Sequence, residues 1–169
     1  MEALASFLAQ WSGLPEIADV KLSRLIVAAI ACVLAFTATP NARAQSGWLT
    51  DYKKAQQEAK TNNKLVLLDF TGSDWCGWCI KLNKEVFSKP EFKDYANKNL
   101  VLVEVDFPRA KSQSSDIKKQ NEELAQQYQI EGFPTIMVLD GDGKKVGLLG
   151  YMPGGPTAFI AELEKLRKG

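Results

Sequence analysis

Three short apolar runs constrain the fold most: KLVLLDF at 64–70, LVLVEV at 100–105 and PTIMVL at 134–139. Each is short, aliphatic and bounded by polar or turn residues, so each predicts a buried strand rather than a helix. Between them lie polar stretches with helical spacing. Strands separated by helices predict parallel pairing and an α/β fold.

The remaining elements follow from caps and turns. Thr50 caps a helix to Lys60 with Tyr52, Ala55 and Ala59 on one face, and Asn62-Asn63 ends it. Thr71 to Trp75 form a loop, and Cys76 to Phe87 a helix with Ile80, Val86 and Phe87 at apolar positions. Ser88-Lys89-Pro90-Glu91 offers a cap, an early proline and an acid, and so a second short helix to about Asn97. Phe107 to Ser115 read as a polar surface loop, and Asp116 to Tyr128 as a helix with Ile117, Leu124 and Tyr128 aligned. Asp140-Gly141-Asp142-Gly143 is a hairpin turn that returns Lys144 to Leu149 antiparallel. Pro156 to Arg167 form a terminal helix with Phe159, Leu163 and Leu166 inward.

Composition excludes several chemistries. The chain has 169 residues, which favours one domain with a short extra segment. A net charge of +1, with lysines and acids interleaved, gives no reason to expect nucleic acid or an anionic membrane as partner. Histidine is absent, which removes Ser-His-Asp and Cys-His catalysis and every His-containing metal site. The three cysteines, Cys32, Cys76 and Cys79, are too few for a disulfide scaffold.

Residues 1–44 read as an export segment. Lys21 and Arg24 precede an apolar run from Leu25 to Ala38, and Ala42-Arg43-Ala44 supplies a cleavage site. The run is shorter than the roughly 20 residues a spanning helix needs, so no stable membrane anchor is expected. The stretch before Lys21 is long for a signal and carries Glu2, Glu16 and Asp19, which suggests a translation start at Val20 or Leu22. Cys32 is a poor lipoprotein acceptor, because Ala29 stands where a larger aliphatic is usual. Cleavage after Ala44 leaves a domain over 45–169 with two cysteines, in the periplasm of a bacterial envelope. A lone close pair cannot staple distant segments, so a reactive role leads.

The pair sits in Trp75-Cys76-Gly77-Trp78-Cys79. Cysteines at i and i+3 share a helical face. A cysteine that begins a helix meets unpaired N–H groups and the positive dipole end, which favour the nucleophilic thiolate. Cys79, one turn in, is expected to be more buried and to attack second, resolving a mixed disulfide. Gly77 leaves room at the helix start, and Trp75 and Trp78 supply an apolar surround. Structural zinc needs four ligands, so it is disfavoured. Carriage of copper(I) on two thiolates, and a purely structural pair, stay open at this point.

The strand LVLLDF, the motif DWCGWC and Gly-Phe-Pro-Thr at 132–135 together resemble the thioredoxin superfamily, over about Lys64 to Lys168. The pattern DFTGSDWCxWC is most similar to bacterial exported thioredoxin-like proteins. The resemblance implies a three-layer α/β fold, with a central mixed sheet of about four to five strands flanked by helices. It implies Cys76 as nucleophile, Cys79 as resolving cysteine and Pro134 as a cis-proline against the active site. The backbone of Phe133 would then pair with substrate, beside Trp78 and Thr135. Asp69 resembles the buried acid that moves protons for the resolving cysteine, though it stands seven residues before Cys76 where thioredoxin has six. Asp74 is a second candidate beside the thiols. The implied activity is thiol–disulfide exchange with protein cysteines, as a reductant. It is served by an upstream thiol–disulfide partner, with no cofactor beyond the Cys76–Cys79 pair. Oxidant, isomerase, and non-enzymatic thiol or copper(I) carrier are the alternatives.

Overall fold

A computed structural model describes residues 47–168. The proposed signal segment, its start site and Cys32 lie outside the described residues. In chain order the elements are β1 (Trp48–Leu49), α1 (Tyr52–Asn62), β2 (Leu65–Thr71), α2 (Gly77–Leu82), a π-helical turn (Asn83–Phe87), α3 (Pro90–Asn99), β3 (Leu100–Asp106), α4 (Ser115–Gln127), β4 (Thr135–Leu139), β5 (Lys145–Leu149) and α5 (Gly155–Lys168).

The five strands lie in the order β1-β3-β2-β4-β5. β1 and β2 each run parallel to β3, whereas β4 is antiparallel to both β2 and β5. The antiparallel β2–β4 pair corrects the expectation that a strand after a helix pairs in parallel. The cause is α4. Asn121, mid-helix, donates to the Asp106 carbonyl at the end of β3 (2.9 Å), and Tyr128 packs its ring edge on Phe70 near the end of β2. The helix therefore stays at the strand ends instead of running back beside them, and the chain returns to the sheet at the end it left.

The sheet divides two cores by the period-two alternation of its strands. Leu67, Leu102, Ile136 and Val138 face α3, α5 and the π turn, where Trp48, Phe87, Phe92 and Phe159 interlock at ring distances of 4.9–6.1 Å. Each such aromatic pair contributes about 0.5–1.5 kcal/mol beyond its burial. Val66, Leu68, Phe70, Val101, Val103, Met137 and Leu139 face α1 and α4, against Ala55, Ala59 and Leu124.

Several local expectations are corrected. Asp51, not Thr50, caps α1 by accepting from Lys54 N, and Asn63 ends it in the left-handed region at φ 52°. Ser88 does not cap α3. Its N–H already serves the carbonyls of Asn83 and Val86 and its hydroxyl turns back to the Lys84 carbonyl, so Lys89 takes the cap position. Of the three apolar positions read in this helix, Ile80 is exposed, whereas Val86 and Phe87, on the π turn, are buried.

Candidate active site

Strand β2 delivers the chain to the edge of the sheet, and Gly72 turns it. A Cβ at Gly72 would lie 2.5 Å from the Trp75 indole, so only glycine lets that ring fold back over the turn. Cys76 then caps α2. Its backbone is extended (φ −81°, ψ 104°) and its sulfur accepts from the N–H of Cys79 at 3.2 Å. The two cysteines form a disulfide with Cα atoms 5.2 Å apart. Cys79 is 4% exposed and Cys76 7%. Nothing lies within 4 Å of a Cβ built at Gly77, so the surface at the start of α2 is open there.

The two tryptophans serve different sides. Trp75, 38% exposed, donates from Nε1 to the Phe107 carbonyl (2.8 Å) and sets its edge on Phe133 (centroids 6.0 Å). The Arg109 guanidinium lies 3.9 Å from its ring centroid. Trp78, 57% exposed, leans on Tyr151 (5.1 Å), and Lys81 Nζ sits 5.1 Å from the Trp78 centroid and 4.9 Å from that of Tyr151.

The loop after β3 closes the first side. The Asp74 carboxylate accepts from the N–H groups of Arg109 (3.0 Å) and Ala110 (2.7 Å). These backbone donors hold it below the usual carboxylate range. Asp106 takes Ser73 N (2.8 Å) and Ser73 Oγ (2.6 Å), and Lys111 Nζ donates to the same hydroxyl (2.9 Å). Residues 107–114 are thus built into the site rather than a detached surface insertion.

Asp69 lies on the sheet face shared with Leu67, the face that α2 covers. It is 8% exposed, and its Oδ1 has no hydrogen-bond partner among the described residues. Burial first, then the charges of Glu104 and Asp106, push its carboxyl well above the ordinary range. Glu104 is its register partner on β3 and is itself raised, by burial and by Asp106. Of the two acids weighed in the sequence, Asp74 is spent on the loop and Asp69 remains poised.

The Phe133–Pro134 bond is cis. Phe133 stacks on Phe107 (5.2 Å) and meets Trp75, which brings the Pro134 loop beside the cysteine motif. Thr135 begins β4, and its hydroxyl donates to the Gly132 carbonyl (2.7 Å). Sequence reasoning missed Glu104, Asp106, Phe107, Arg109 and Tyr151. Glu104 carried a signal, as an acid interrupting an apolar run. The others depend on which loops meet.

Two sulfurs that close a ring across one helical turn, at the exposed end of an α/β sheet, serve electron exchange rather than cross-linking, and the molecule is a thiol–disulfide oxidoreductase. The chain belongs to the thioredoxin-like family, whose domain matches residues 52–167. It is 38% identical over 129 residues to the disulfide bond reductase DsbH of Chlamydia pneumoniae, covering 76% of this chain and 77% of that protein. A solved structure of a DsbH oxidoreductase superposes with a TM-score of 0.69 at 33% identity, over 81% of this chain and 98% of that one. The thiol:disulfide interchange protein DsbD of Vibrio vulnificus is 34% identical over 111 residues, which is 17% of its length.

Proposed function

We propose that this chain reduces disulfides of exported proteins, with Cys76 as the attacking sulfur. The observation that carries the reading is the cap: the Cys76 sulfur already accepts an N–H at the start of α2. In the reduced protein the same donor and the helix dipole stabilise the thiolate. That thiolate attacks one sulfur of a substrate disulfide. A mixed disulfide forms and the other substrate sulfur leaves as thiolate. Cys79 then attacks the Cys76 sulfur, the Cys76–Cys79 bond closes, and the substrate departs with both electrons. An upstream dithiol returns two electrons to the pair, and no group beyond the two sulfurs is needed.

Asp69 is assigned the proton of Cys79. Its carboxyl, raised by burial well above the ordinary carboxylate range, can take that proton as Cys79 attacks and return it in the reverse direction. The backbone of Phe133 and Thr135, at the cis-proline Pro134, receives an extended substrate segment as an added strand. Trp78 supports that segment from the exposed side, and the open face over Gly77 lets it approach. The reducing direction is supported by the name of the relative in Chlamydia pneumoniae. Among the described residues no helix is long and apolar enough to cross a membrane. Export to the periplasm rests on the apolar run at 25–38 and cleavage after Ala44.

The test is insulin reduction in the presence of dithiothreitol. The protein should accelerate it, Cys76→Ser should abolish the acceleration, and Cys79→Ser should accumulate mixed disulfides on Cys76. Activity retained by Cys76→Ser would overturn the mechanism. No acceleration, together with tight copper(I) binding, would make the chain a carrier instead.

A further inference from the structure

The cysteine motif is flanked by two cations held on aromatic rings. Strand order places β2, which feeds the motif, between β3 on one side and the β4–β5 pair on the other. Arg109 comes from the loop after β3 and lies on Trp75; Lys81 sits over Trp78 and over Tyr151, which follows β5. Neither cation forms a salt bridge among the described residues.

The neighbouring acids are already engaged. Asp74 accepts two backbone N–H groups, Asp106 accepts from Ser73, and Glu85 accepts the Tyr151 hydroxyl at 2.8 Å. Glu131, two residues before Phe133, is exposed. The rim therefore offers positive charge held in place on both sides, over large apolar rings at low ordering cost. A guanidinium stacked this way keeps its in-plane donors free for a partner's carboxylates, and Lys81, which also meets the Tyr151 hydroxyl and the charge of Glu85, adds a cation on the other side.

We infer that the preferred substrates are extended protein segments carrying acidic residues on both sides of the target cysteine. The inference rests on the exchange activity proposed above and names its substrate class. Arg109 and Lys81 act as specificity determinants: they attract the carboxylates while the rings cover the segment's apolar stems. Complementary charge at a rim acts mainly on encounter and is weakened by salt.

Three short peptides test it, each with one cysteine joined to 2-mercaptoethanol as a disulfide. The flanks are Asp/Glu, Ser, or Lys/Arg, and each rate is divided by the rate with dithiothreitol alone to remove intrinsic reactivity. The full chain should reduce the acidic peptide with a kcat/KM about tenfold above the neutral one at low salt, and the basic peptide more slowly than either. The preference should fall towards unity as ionic strength rises, and should shrink in Arg109→Gln and again in Arg109→Gln with Lys81→Gln. Equal normalised rates for the three peptides at low salt, or a preference that salt does not touch, would overturn the substrate class and leave the reductase reading standing. If no peptide is reduced, the reductase reading falls and this inference falls with it.

Discussion

Asp69 and Asp106 face the same side of the sheet at the ends of neighbouring strands, and they are built for opposite purposes. Asp106 sits where β3 gives way to a loop, and its oxygens meet the N–H and hydroxyl of Ser73. Its own carbonyl also collects Asn121 and Gln113. Asp69 sits two residues deeper, opposite Glu104, with a buried oxygen that no group among the described residues satisfies. A satisfied carboxylate stabilises the loop it holds. An unsatisfied one, beside a second acid, costs stability and stays free to exchange a proton. On the mechanism proposed above, fold stability and proton transfer then fall to separate aspartates within one cluster.

The largest effect that would separate them is on rate. Asp69→Asn keeps the shape and removes the titrating group. The resolving step should slow on the order of a hundredfold at neutral pH, at the low end of what a positioned proton-transfer group contributes. Stability should move the other way. A folded-state carboxyl raised above its unfolded value, about 3.9, contributes stability below that value and loses it as pH rises towards the folded one. Asp69→Asn should therefore be more stable than the unmodified chain above about pH 4, with the gap widening upward, as thermal melts would show. A variant that is slower and less stable at alkaline pH would break the division of roles.

The converse change is Asp106→Ala. It leaves the Ser73 N–H and hydroxyl without their acceptor, which should cost about 2 kcal/mol and lower Tm by roughly 8 °C. Proton transfer by Asp69 should survive, so the resolving step measured below the new Tm should keep its plateau rate, with its pH profile moved to lower pH because the Asp106 charge is one cause of the raised Asp69 carboxyl. If Asp106→Ala leaves Tm unchanged but abolishes the plateau rate, the two aspartates have been assigned the wrong way round.

Much of this arrangement was legible in the sequence, because it depends on local patterns. Three apolar runs and the hairpin turn marked four strands, and the strand–CxxC–helix order marked the redox pair. β1 was missed because two residues, Trp48 and Leu49, carry no periodicity and become a strand only by pairing with Leu102 and Val103. The direction of β4 was missed because it is decided by where α4 lies against the strand ends. Asp69 was reached through the family resemblance, but its contrast with Asp106 required the β2–β3 register. The function of 107–114 was hidden for a similar reason. Its anchors, Asp74 and Ser73, sit more than thirty residues away in sequence.

Glu104 gives the smallest and sharpest test. It is half-buried, in register with Asp69, and its charge is one cause of the raised Asp69 carboxyl. Burial is the largest of those causes, so removing the charge alone should release only part of the shift. In Glu104→Gln, Asp69 ionises at lower pH, and the pH profile of the resolving step should move to lower pH with its plateau rate kept. Stopped-flow measurement of tryptophan fluorescence at Trp75 and Trp78 can follow the step. A profile that stays in place in Glu104→Gln would mean that burial alone raises Asp69. The acid across the register would then be a bystander, and the unpaired oxygen of Asp69 would carry the whole contrast with Asp106.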